Sequence, residues 1–359
     1  MQSICYIVPY FGKLPKNFQL WLNSCSTNKT VNWMIFTNDK SDYNYPQNVK
    51  VNYCEFEEIK MKIINNFDFE VKIDSYWNLS LFKPAYGEIF KEYIKEYDFW
   101  GHCDVDVLWG DIRKFLNEDV LKKFDKIGYQ GHSTLYRNNK EVNGRYKTIV
   151  PNEINYIDVF SGKIKYSFDE NGMEKIYNFL NIEYYKEPIF AHLRKFEYNF
   201  SLAHMPIEEE YKNKHQIFIW DSGKLYRKYL YNKKIYTEEF MYIHFFCRPM
   251  SYKAKNFNEN AKYIIFPDQL VDFNNIQLTY NYIYRKSKKN RIKFLVKTFY
   301  LNRKKITIKK LVFNFKRLII NKLKNRRNKW VLKYYLQVIL YIRIIHRSLI
   351  LKYRKNIRK

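Results

Sequence analysis

Glycine and proline are scarce here, 10 and 9 residues out of 359. Collagen-like and Gly/Pro-rich low-complexity architectures are thereby excluded. No G-x-G-x-x-G follows the first apolar run, so a nicotinamide-dependent dehydrogenase is disfavoured. Cysteine is limited to Cys5, Cys25, Cys54, Cys103 and Cys247. The count is odd, the spacings are wide, and neither a CxxC nor a Cys/His cluster occurs, so no zinc motif is expected. The pattern reads as reduced thiols in a cytosolic protein, several within apolar strands. No window of about 18 residues is free of charge, so no spanning helix is expected. The start, MQSICYIVPYFG, lacks a charged segment followed by a long apolar one, so no signal peptide is expected either.

Acidic residues are missing from one region altogether. From Arg285 to Lys359 there are 27 of the 64 Lys and Arg and none of the 36 Asp and Glu. Residues 1–284 therefore hold 37 basic and 36 acidic residues, and the net charge of +28 lies almost wholly in the last 75. Such a break marks a boundary. The segment is also rich in Ile, Leu, Phe and Tyr, with Ile308, Leu311, Val312, Phe315, Leu318, Ile319 and Leu323 at helical spacing. A basic amphipathic helix of this kind lies on an anionic membrane. A nucleic-acid-binding tail, the non-enzymatic alternative, would more often be polar throughout. A solvated helical pair packing on the core is the third option. The expectation is peripheral attachment to the cytoplasmic face of a bacterial plasma membrane, with nucleic acid disfavoured.

What is present in the body is abundant apolar and aromatic side chain, 46% and 19% of the chain, enough for a sizeable core. ICYIVP, VNWMIFT, VKVNYC and YDFWGHC are short apolar runs read as buried strands. NFQLWLNSC, EEIKMKIINNF and LFKPAYGEIFKEYI lie between them and read as helices. This alternation predicts an α/β fold with a mostly parallel sheet, whose ligands bind beyond the carboxyl ends of its strands. Residues 111–284 are more mixed, with KIGYQG, YIDVFSGKIKY and EFMYIHFF read as short strands. The expected organisation is a nucleotide-binding half at 1–110, a substrate half at 111–284 and the basic helical tail at 285–359.

Three strand ends carry candidate ligand-binding groups. Pro9, Tyr10 and Phe11 follow the first strand, where the two rings could stack on a base or belong to the core. Asn38 and Asp39 follow the second and could meet a base or ribose, or make a turn. Asp104 and Asp106 follow the fourth, in FWGHCDVDVLWGD. Two carboxylates at i and i+2 share a side of a strand, or are folded together by a turn, and repel unless a cation lies between them. Hard oxygen ligands suit Mg2+ or Mn2+, which also favour phosphate oxygens. Solvated loop aspartates are the plain alternative, weakened by the flanking Phe99, Trp100, Val107, Leu108 and Trp109.

DFWGHCDVDVLWGDIRKFL resembles the DxD segment of glycosyltransferases of the GT-A fold, and more closely bacterial polysaccharide and lipopolysaccharide sugar transferases. LFKPAYGEIF is similar to a segment whose basic residue helps hold the donor, which puts Lys83 in that role. YIHFFCRPM is similar to a late His, basic residue and Pro, which puts His244 on the metal and Arg248 on the leaving diphosphate. The resemblance covers roughly residues 4–250. It implies a metal-dependent transfer from a nucleotide sugar, a UDP-sugar by expectation, to a surface polysaccharide or lipid-linked oligosaccharide. YQGHS, with Gly131 and His132, and KFEYNFS, with Glu197, loosely resemble acceptor-side and sugar-side segments. An inverting enzyme needs a carboxylate base, for which Glu197, Asp158 and Asp221 are open choices. The rival enzyme class is a haloacid-dehalogenase-type phosphatase, since CDVDVL also fits DxDx[TV]. Against it, a long βα region precedes the motif and no GDxxxD follows.

Overall fold

The computed structural model describes residues 1–287 apart from 195–199, 247, 249, 256, 257, 259, 274 and 275. Glu197 and the basic tail beyond residue 287 therefore lie outside the described residues. The strands, in chain order, are β1 (Ile4–Pro9), β2 (Val31–Thr37), β3 (Val49–Tyr53), β4 (Phe99–Cys103), β5 (Val107–Trp109), β6 (Lys126–Gln130), β7 (Ser133–Arg137) and β8 (Phe190–His192). The later ones are β9 (Gln216–Asp221), β10 (Lys224–Tyr231), β11 (Lys234–Phe240), β12 (Tyr242–His244), β13 (Ser251–Tyr252), β14 (Lys262–Phe266) and β15 (Gln269–Asp272).

The first sheet has the order β3-β2-β1-β4-β7-β6. β3, β2, β1 and β4 run parallel, and β7 and β6 complete it antiparallel. Parallel strands are covered on both faces, so they read as continuous apolar runs; β1, β2 and β4 are nearly all buried. The helix Phe18–Ser26 packs Phe18, Trp21, Leu22 and Cys25 against the first sheet and Leu20 into the core of the second. The helix Phe56–Ile64 starts at a Glu55/Glu58 capping box and buries Ile59 and Ile63, one turn apart. Beyond β1 the chain turns one way to β2 and the other way to β4. That reversal opens a crevice at the carboxyl ends of β1 and β4, the place where such sheets take ligands.

A second sheet, β11-β10-β9-β14-β15-β13, is mostly antiparallel. Between the two lies a small sheet, β5-β12-β8. Trp220 of β9 donates its indole N–H to the Trp109 carbonyl of β5 at 2.6 Å, inside the core. Asn28 holds the next residue, donating to the Gly110 carbonyl and accepting from the Ile112 N–H, both at 2.9 Å. The second sheet thus fixes β5, and β5 fixes the loop before it.

The α/β class and its parallel first half agree with the sequence expectation. Three details differ. Tyr156–Phe160 is a helix rather than part of a strand, because Asn155 and Asp158 form a capping box around its start. LFKPAYGEIFKEYI is not one helix: a 3-10 segment, Tyr76–Ala85, gives way to the short helices Tyr86–Ile89 and Lys91–Ile94. Pro84, without an N–H, favours that tighter start. EFMYIHFF is split at Met241 between β11 and β12, which belong to different sheets. WDSG is a hairpin turn between β9 and β10, with Ser222 and Gly223 at positive φ. Cys5, Cys25, Cys54 and Cys103 are free thiols. Among the described residues, no helix is long and apolar enough to cross a membrane.

Candidate active site

β4 ends at Cys103, and residues 104–106 make a turn into β5. The turn, rather than continued strand, brings the two carboxylates together. β12 pairs antiparallel with β5, setting His244 opposite Val107, the residue after Asp106. His244 Nε2 lies 3.2 Å from Asp106 Oδ1 and 4.0 Å from Asp104 Oδ2. The Asp106 carbonyl accepts the Phe245 N–H at 3.0 Å, locking the loop onto the end of β12. One ligand atom from each of Asp104, Asp106 and His244 lies within 4.8 Å of the others. Two carboxylate oxygens and one imidazole nitrogen suit Mn2+ well, and Mg2+ through its oxygen preference. The three residues can therefore hold a divalent cation.

Lys83, in the 3-10 segment, reaches into the same place. Its Nζ donates to Asp104 Oδ1 at 2.8 Å and to the Gly131 carbonyl at 2.7 Å. Burial alone would lower the Lys83 pKa, but the charges of Asp104 and Asp169 outweigh it and keep the ammonium above its ordinary value. With Oδ1 taken by Lys83, Asp104 turns its other oxygen toward His244. Asp169 is pushed up to about 6 by burial, with the Glu170 and Asp104 charges adding to the rise and Lys83 opposing it. Glu170 accepts the Gly131 N–H at 2.7 Å. A Cβ at Gly131 would sit 2.3 Å from Asp169 Oδ2, so a side chain there would displace the Asp169 carboxylate.

His244 has two further neighbours. β12 runs parallel to β8 with His244 beside His192. His192 Nδ1 lies 3.4 Å from His244 Nδ1 and 3.0 Å from His132 Nε2. His132, in the turn between β6 and β7, meets the Tyr242 hydroxyl through Nδ1 at 2.9 Å. Burial pushes His132 far down, helped by the neighbouring rings, and takes His192 down to about 4. Both rings are neutral at physiological pH.

The other expected residues lie as follows. Pro9 ends β1, in register with Phe36. Tyr10 is half-buried, and its N–H donates to the Phe36 carbonyl at 2.8 Å. Phe11 is a core side chain, edge-on to Phe56. Asn38 accepts the Gly12 N–H at 2.9 Å, and Asp39 accepts the Leu14 N–H at 2.7 Å, so both shape the loop after β1. Burial would raise the Asp39 pKa slightly, but the hydrogen bonds from Ser41 and Leu14 hold it below the usual carboxylate range. Arg248 is buried; it donates Nε to the Pro267 carbonyl at 2.7 Å and lies over Phe200, contacts that face the second sheet. Asp158 serves the cap at Asn155, and Asp221 pairs with Lys262 at 2.6 Å.

The structure thus unites Asp104, Asp106, His244 and Lys83. It adds three residues to which the sequence gave no site role. His192 and Asp169 stand in no motif, and His132 stands only in a segment of loose resemblance. The one available signal for the histidines was composition, since three of only seven His fall in QGHS, IFAHL and YIHFF. Asp169, in YSFDENG, reads as an ordinary turn.

Residues 6–274 match the model of a family of unknown function (DUF6625). The chain belongs to that family. No curated protein matches it. Among solved structures, this family member is similar to the galactosyltransferase LgtC in complex with donor and acceptor sugar analogues, with 12% identity and a TM-score of 0.31 over 53% of this chain and 75% of that one. It is similar to the apo form of the glycosyltransferase GlyE of Streptococcus pneumoniae TIGR4, with 10% identity and a TM-score of 0.30, covering 53% of this chain and 46% of that one. It is also similar to apo mouse xyloside xylosyltransferase 1, with 10% identity and a TM-score of 0.34, covering 54% and 88%.

Proposed function

We propose that the protein is a metal-dependent glycosyltransferase of GT-A type, moving a sugar from a nucleotide sugar, a UDP-sugar in the first instance, to a saccharide acceptor. The observation that carries this reading is the convergence of Asp104, Asp106 and His244, with Lys83 behind them, at the crevice between β1 and β4. A nucleotide sugar leaves as a diphosphate, whose negative charge grows as the glycosidic bond breaks. Mn2+ or Mg2+ held by the three ligands would supply Lewis-acid neutralisation of that charge.

The chain's own residues do the rest. Lys83 fixes Asp104 and contributes a permanent positive charge in a place largely shut off from water, where it acts more strongly. Tyr10, Asn38 and Asp39, beyond β1 and β2, are assigned to the base and ribose of the nucleotide. Pro9 and Phe11 support that loop, Phe11 from within the core. Arg248 is assigned to the diphosphate from the sequence resemblance, and Glu197 is our choice among the carboxylates as base for the acceptor hydroxyl. The acceptor is proposed to be a surface polysaccharide or a lipid-linked oligosaccharide, with residues 285–359 holding the enzyme on an anionic, cytoplasmic membrane face.

Thermal shifts with UDP, GDP, CDP and TDP, each with and without Mn2+, test the donor side. One diphosphate should stabilise the protein only with the metal, since linkage rewards ligands that bind the folded state. Stabilisation unaffected by EDTA would end the metal role. An aspartyl-phosphate trapped on Asp104 would replace transfer by phosphatase chemistry.

A further inference from the structure

We propose that His132, His192 and His244 form a second cation site, for a zinc-class transition metal, and that it competes with the carboxylate pair for His244. Three separate stretches meet there. His192 and His244 end neighbouring parallel strands in register, and His132 arrives from the turn between β6 and β7. His132 and His244 are almost wholly buried, at 3% and 4% exposure. His132 packs against the Phe190 ring, and His192 and His244 against the Phe246 ring.

Partners outside the cluster let two of its rings turn a lone pair inward. Tyr242 Oη lies 2.9 Å from His132 Nδ1 and also meets Ser133. When His132 donates from Nδ1 to that phenol oxygen, the lone pair of Nε2 turns inward. His244 donates from Nε2 to Asp106 at 3.2 Å, which turns the lone pair of Nδ1 inward. Both lone pairs face His192 Nδ1, at 3.0 and 3.4 Å. That nitrogen carries either one proton or one lone pair, so it can answer one neighbour and not both. A cation satisfies all three. Ligand nitrogens around a tetrahedral metal with ordinary bonds are about 3.3 Å apart, close to both distances. Outer hydrogen bonds that fix ring tautomers are a regular feature of histidine metal sites.

Three imidazoles favour Zn2+, Co2+ or Ni2+ over Mn2+ or Mg2+, which prefer oxygen. A neutral imidazole has one lone pair. His244 can give it through Nδ1 to the histidine cluster or through Nε2 to a cation at the carboxylates. Zinc in the first site therefore withdraws a ligand from the second.

The test uses full-length protein and metals alone, without any sugar nucleotide, so its outcome is independent of the transferase reading. Co2+ should bind at about one ion per chain with the intense visible absorption of a tetrahedral nitrogen site, and Zn2+ should displace it. H192A and H132Q should each abolish that band and weaken Zn2+ by at least about tenfold. Asp106→Asn should keep the band, and Mn2+ should raise the Zn2+ concentration needed for half-saturation. A wild-type Co2+ spectrum without the tetrahedral band overturns the proposal. So does a band unchanged in both histidine variants, and either histidine variant suffices if the other does not fold.

Discussion

Lys83 in the first sheet region and Arg227 in the second are cations largely removed from water with carboxylate partners, yet they do different work. Arg227 of β10 is fully buried, bonded to the Gln216 side chain, to Glu238 at 2.8 Å and to the Lys212 carbonyl at 2.7 Å, and it lies over Tyr229. Its donors are turned into protein on several sides, so it staples β9, β10 and β11 together. Both carboxylate partners keep 37% of their side chains exposed, but Asp104, unlike Glu238, shares its second oxygen's neighbourhood with His244 and Asp106. A cation held inside becomes part of a site when its partner's other oxygen meets further ligand groups. It stays structural when that carboxylate only ties strands together, as Glu238 does.

Four experiments would break or sharpen that contrast. The largest effect is expected from Asp104→Ala, which removes both the cation ligand and the Lys83 partner. Mn2+-dependent nucleotide binding should vanish and transfer should fall by about two to three powers of ten, with far-UV dichroism unchanged. Arg227→Met should do the reverse. Denaturant titration should show a loss of about 3 kcal/mol, while Mn2+ affinity per folded molecule stays the same.

Lys126 is a third buried cation, answered by the Gly128 carbonyl at 2.7 Å and the Tyr184 ring face at 3.8 Å rather than by an ion pair. Burial lowers its pKa to about 7. Between pH 7 and the ordinary lysine range the unfolded chain binds more protons than the folded one, so this group makes stability rise with pH there. Lys126→Met should flatten that rise and add about 1–2 kcal/mol at pH 7, read as the difference between variant and wild-type curves. The smallest effect is expected at Asp39, whose depressed pKa contributes stability above the ordinary carboxylate value and loses it as pH falls through the lower folded one. Asp39→Asn should cost under about 1 kcal/mol at pH 7 and nothing at pH 2, by thermal denaturation at both.

The sequence alone determined the parallel half of the fold, because strands covered on both faces must be apolar throughout and their intervening helices keep a different period. It also marked Asp104 and Asp106, since two carboxylates next to buried aromatics are costly without a function. It determined the charge boundary near Arg285, which is a matter of composition. The tertiary structure decided what long-range pairing controls. Val107 meets His244 across 137 positions, and His192 joins them only because β8 lies beside β12. Phe11 became core, and Asn38 and Asp39 became loop anchors, through neighbours that no local window contains. Local periodicity reports which face of an element is buried. Which nitrogen meets which oxygen depends on strand order, and strand order is set by how the whole chain packs.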